Sequence, residues 1–155
     1  MKEKICIKPH HFMDIIKLYG SGIEKFVPDV KMGHDFYKIG NMIIERPNIK
    51  MKLTIEGDDI CKPCFKYNGV CKDKINHIKN ITSKNEYNQM LDKRLIELYN
   101  LNINKEYTAI ELCNIYYNNS YYIYDVWKEE NNDVVYRRHE LFVTGAKKYI
   151  NKVDI

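Results

Sequence analysis

The sequence predicts an α+β fold, a mostly helical single domain over residues 1–155 with a small sheet and a cysteine-rich metal-binding loop. Three observations point there. Apolar residues recur at helical spacing along most of the chain, strand-like alternation is confined to two short stretches, and between about 57 and 82 periodicity gives way to Cys, Pro, Gly, Asp and Asn. At 155 residues the chain is long enough to enclose one core and short for two.

Taken in order, residues 4–8 alternate apolar and polar like a strand, and Pro9 ends it and favours a helix over 10–19. Gly20-Ser21-Gly22 closes that helix. A second helix is expected after Pro28-Asp29, carrying Phe36, Ile39, Ile43 and Ile44 and stopping before Pro47, with a strand over 51–56. Ser83 and Glu86 have the spacing of a capping box and open a helix bearing Tyr87, Met90, Leu91, Leu95 and Leu98. Thr108 and Glu111 repeat the box and open a shorter one to about Tyr117. Residues 121–127 fit strand or helix. From Asp133 onward Val135, His139, Phe142, Ala146 and Tyr149 share a helical face, so His139 is expected against a partly apolar surface.

Composition excludes several classes. No apolar run approaches the ~20 residues of a membrane span. Met1-Lys2-Glu3-Lys4 resembles no signal peptide, so a cytoplasmic protein is expected. The net charge of +4 is modest and no block of like charge occurs, which disfavours nucleic acid as a partner. The 13 tyrosines are matched by an excess of Lys, Asn and Ile that biased base composition explains. The partner expected is an unidentified protein or small molecule.

The chemistry concentrates in the loop. Five cysteines, three of them between 61 and 71, read better as ligands than as disulfides in a reducing compartment. Cys61-Lys62-Pro63-Cys64 is a C-x2-C knuckle that turns two thiolates toward one ion, and Tyr67-Asn68-Gly69-Val70 reverses the chain to return Cys71. A metal centre at Cys61, Cys64 and Cys71 needs a fourth ligand. Cys6, His10, His11, Asp14, His77 and Cys113 are available, and His10, His11 and Asp14 are favoured because they sit at a strand-to-helix junction. A carboxylate three or four residues along the helix can face either imidazole there. Zinc and an iron-sulfur cluster fit equally.

Lys8-Pro9-His10-His11, Gly20-Ser21-Gly22, Asp58-Asp59-Ile60-Cys61-Lys62-Pro63-Cys64, Cys71 and Leu91-Asp92-Lys93-Arg94 occur in the order found in a domain-of-unknown-function family of short bacterial and archaeal proteins. The chain resembles that family over about 5–113, leaving 114–155 as a Tyr-rich helical extension. The resemblance implies an iron-sulfur centre. Many members carry a Cys where this chain has Asp14, which removes the obvious fourth thiolate and makes a three-cysteine, one-histidine zinc site equally credible.

Three functions follow as expectations. The first is a metal-centre protein with a structural or redox role. The second is a metalloenzyme using His10, His11 or Asp14, with His34 and Asp35 as further proton-transfer residues, beside an open metal position. The third is a dithiol redox protein working through Cys61 and Cys64.

Overall fold

A computed structural model describes residues 4–153; residues 1–3, part of the segment read for a signal peptide, and 154–155 lie outside the described residues. Strand β1 (Lys4–Ile7) runs into helix α1 (Pro9–Gly20), followed by α2 (Phe36–Glu45) and β2 (Lys50–Leu53). A two-residue hairpin, β3 (Tyr67–Asn68) and β4 (Val70–Cys71), lies inside the cysteine segment. Then come α3 (Lys84–Leu98), β5 (Glu106–Thr108), α4 (Ala109–Asn118), a 3-10 turn at Ser120–Tyr122, the single turn α5 (Ile123–Val126) and the long α6 (Asn132–Val153). The mostly helical α+β class is as the sequence predicts.

The small sheet has β2 at its centre, parallel to β1 and antiparallel to β5. Ile5 pairs with Met51, Ile7 with Leu53 and Met51 with Tyr107, and all five side chains are buried. The period of two thus sends one apolar row into the core while Lys4, Lys50 and Lys52 face out. Because β1 and β2 are parallel, their C-terminal ends emerge side by side, with the Thr54 N–H donating to the Ile7 carbonyl. The residues after each strand therefore meet at one edge of the sheet, and the candidate site is built there.

Helix α6 packs along α1. The two helices touch backbone to backbone where Gly20 and Gly145 face each other. A Cβ on Gly145 would lie 2.0 Å from the Ile16 carbonyl oxygen, and one on Gly20 would lie 2.0 Å from that of Leu141. Phe142, Ala146 and Tyr149 bury the α6 face against α1 and α4, and the Tyr149 hydroxyl donates to the Ile43 carbonyl at 2.6 Å. The described part of the segment read from sequence as an extension, residues 114–153, thus contributes to one hydrophobic cluster with the sheet and α1.

Several boundaries differ from expectation for local reasons. Helix α2 begins at Phe36 because the Asp29 carboxylate accepts from the N–H groups of Lys31 and Met32, and Gly33 adopts φ +72, so this stretch forms turns. Strand β5, three residues long, is too short to give a periodic signal. The Ser83 hydroxyl accepts from the Glu86 N–H, and Thr108 with Glu111 forms the full reciprocal box. His139 is half-buried beside Tyr124, with ring centroids 5.4 Å apart.

Candidate metal centre

The site begins with a helix that lacks its own cap. Lys8 is held extended by the following Pro9, and its side chain makes no capping bond to α1, whose first turn contains no acidic residue. The free N–H groups at this end find acceptors from distant sequence. The Asp92 carboxylate, fully buried on α3, accepts from the His10 N–H at 2.8 Å, and the Asp58 carboxylate, fully buried after β2, accepts from the Lys8 N–H at 2.7 Å. Two buried aspartates thus sit at the positive end of the α1 dipole.

The same carboxylates orient the consecutive histidines. His10 Nδ1 lies 2.8 Å from Asp92 Oδ1, and His11 Nδ1 lies 2.7 Å from Asp58 Oδ2. An ionised carboxylate can only accept, so in the metal-free protein each Nδ1 carries the proton and the carboxylate fixes the orientation of the ring. Burial alone would lower the His10 pKa, but the charge and hydrogen bond of Asp92 outweigh it and the net shift is upward. Burial would raise Asp58, yet the His11 ring and the N–H groups of Lys8 and Cys61 hold it well below the usual carboxylate range.

Asp58 also organises the cysteine segment. Its Oδ1 accepts from the Ile60 N–H at 3.1 Å and the Cys61 N–H at 3.0 Å, closing a turn that delivers Cys61 beside His11. The neighbouring Asp59 covers the outer edge of β1, its carboxylate accepting from the Cys6 N–H at 2.8 Å and its own N–H donating to the Cys6 carbonyl at 3.0 Å. Tyr67 lies across Gly57, where any Cβ would fall 2.1 Å from the phenol oxygen.

As a result one ligand atom each from His11, Asp58 and Cys61 lies within 4.8 Å of the other two, a group able to hold a metal ion. Among the described residues no other group of three meets that spacing, so Cys64 and Cys71, both half-buried in the same segment, stand outside it. Asp14 is engaged elsewhere. Its carboxylate accepts from Arg138 Nη1 at 2.7 Å and lies 3.7 Å from Lys17 Nζ. Burial pushes its pKa up, but Arg138 and then Lys17 and His10 prevail and bring it down to about 2. Cys113 is fully buried in the core, and His77 lies 4.0 Å from Glu130. His34 faces Asp29 at 3.6 Å. Burial, reinforced by the charge of Asp58 and opposed by Lys8, pushes the Cys61 thiol up to about 12.

Sequence reasoning missed Asp58 and Asp92 as site residues. A signal was present: a helix start at Lys8-Pro9 with no Ser, Thr, Asp or Asn to cap it requires acceptors from elsewhere.

His10, His11 and Asp14 also line a cavity of about 280 Å3 of mixed character, with His77, Lys84, Glu130 and Arg138 among its polar groups and Ile75, Leu91 and Trp127 on its apolar wall. No family model, no curated protein and no solved structure matches the chain. No helix among the described residues is long and apolar enough to cross a membrane.

Proposed function

We propose that the protein is a cytoplasmic metal-centre protein that binds one divalent ion, zinc by preference, through His11, Asp58 and Cys61. The observation that carries this reading is the meeting of those three side chains, His11 lying 47 residues from Asp58 in sequence, at the edge where β1 and β2 end. A nitrogen, an oxygen and a sulfur donor form a set that suits a single zinc ion. Iron-sulfur clusters rely mainly on thiolates, and this group contains one. The chemistry of the donors supports an ion as well. A buried carboxylate beside a thiol disfavours the thiolate, whereas a divalent cation stabilises both negative groups and on binding displaces two protons, that of the Cys61 thiol and that of the His11 Nδ1–Asp58 hydrogen bond. Cys64 or Cys71, carried by the same short loop, is the fourth ligand or shields the ion from water.

A dithiol role for Cys61 and Cys64 is disfavoured, because a thiol with a pKa near 12 is a poor nucleophile at neutral pH. The metalloenzyme reading is favoured by one observation, the cavity that shares His11 with the metal group. The test is metal content and melting temperature of His11→Gln, Cys61→Ser and Cys113→Ser. The first two are expected to lose the ion and the stability it confers, and Cys113→Ser to keep the ion. Full metal retention by Cys61→Ser and His11→Gln would refute the assignment.

A further inference from the structure

The cavity of about 280 Å3 falls just below the range usual for drug-sized ligands, so its occupant is compact. On one wall Arg138 is clamped from two sides. Its Nη1 donates to Asp14 at 2.7 Å, and its guanidinium lies 4.2 Å from the centre of the Trp127 ring. The Nε atom is buried without a hydrogen-bond acceptor. A guanidinium held over an aromatic ring and pinned at one end has little freedom to turn, and its remaining N–H groups form the fork that matches the paired oxygens of a carboxylate or phosphate. A buried donor without an acceptor is uncommon in a folded protein, and the Nη groups of the same guanidinium are the ones left to meet a ligand in the cavity.

The charges around it balance. Asp14 is shared between Arg138 and Lys17, and Lys17 lies outside the lining, so the two cations of the wall, Arg138 and Lys84, are matched in number by Asp14 and Glu130, and each of the two carboxylates already has a partner inside the protein. Glu130 is occupied by the Tyr87 hydroxyl at 2.5 Å and lies 4.0 Å from His77, and Lys84 contributes a second cation to the wall. Asp73, 3.5 Å from the Lys84 ammonium, is not among the lining residues.

We propose that this cavity binds a small molecule through a carboxylate or phosphate group held by Arg138 and Lys84, with His10, His11 and His77 against the remainder of the molecule. The inference does not rest on the metal reading, because none of the groups that grip the anion belongs to the metal group.

The five histidines supply the test, since His10, His11 and His77 line the cavity while His34 and His139 do not. Imidazole proton signals of the full chain are followed by NMR during titration with inorganic phosphate and, separately, malonate, at fixed pH and ionic strength. Saturable movement of the His10, His11 and His77 signals is expected, with His34 and His139 unmoved, and the anion that saturates at lower concentration names the preferred group. Arg138→Gln is expected to weaken binding by about tenfold. Lys84→Gln, at a half-exposed position that leaves the Asp14 pair intact, is expected to weaken it less, and it keeps the test valid if Arg138→Gln misfolds. Linear drift without saturation, equal movement of all five histidines, or wild-type affinity in Lys84→Gln would overturn the proposal. Repeating the titration after chelation separates the two readings, because saturable binding by metal-free protein leaves this one intact whether or not the protein binds zinc.

Discussion

Where α1 crosses α6, order comes from contact: Gly20 and Gly145 bring the backbones together, and Ile16, Phe142, Ala146 and Tyr149 are buried around them. Residues 57–82 contribute only Ile60 and Ile78 to the buried apolar core and are held instead by directional bonds to the Asp58 and Asp59 carboxylates and by the Tyr67 ring over Gly57. The first region is expected to be sensitive above all to side-chain volume. The second is sensitive to single polar groups, because an unpaired buried donor costs more than a typical bond contributes. A segment ordered in this way is also one that a bound ion could stabilise most.

The comparison can be broken at either end. The largest effect is expected from Gly145→Val, which drives a branched side chain into the Ile16 carbonyl and should cost about 3 kcal/mol or more in urea denaturation. Unchanged stability would mean that the helices do not meet at this point. Next comes Asp58→Ala, expected to cost about 2 kcal/mol in metal-free protein by stranding the N–H groups of Lys8 and Ile60, while the Cys61 N–H keeps the Asp58 backbone carbonyl. Hydrogen exchange should rise across residues 57–82 and remain slow in α6, and a uniform rise would erase the proposed distinction. Thr108→Ala removes a capping bond away from both regions and is expected to cost about 1 kcal/mol by thermal denaturation.

The smallest effect concerns acid. The Asp14 carboxyl titrates near 2 in the folded chain against 3.8 for a free side chain, so its contribution is complete above about pH 4 and disappears as pH falls through 2. Arg138→Gln removes the main cause of that depression. The melting temperature of this variant should therefore fall less steeply between pH 4 and pH 2 than that of the wild type, and parallel slopes would show that the pair is not linked to folding.

The same contrast decides what was legible in the sequence. Helices α1, α3, α4 and α6 were readable because each is ordered by an apolar face whose spacing is written locally, and Thr108 and Ser83 announce their caps. Strand β5 and the delayed start of α2 were not readable, the one being three residues long and the other set by the Asp29 turn. At the site, the cysteine segment and the His10-His11 junction stood out by residue type. The partners that fix them, Asp58 and Asp92, lie 47 and 82 residues away from their histidines, and no local pattern states which carboxylate will meet which imidazole. Asp14, close in sequence to both histidines, is instead drawn to Arg138 from α6, 124 residues away.

The most direct measurement of the central claim is the zinc, iron and acid-labile sulfide content of untagged protein purified without oxygen and without added metal, read together with its visible spectrum. The account predicts a colourless protein with about one zinc per chain and no sulfide. Matching amounts of iron and sulfide with visible absorption would contradict the single-ion assignment at His11, Asp58 and Cys61, and protein without any metal would contradict the metal centre itself.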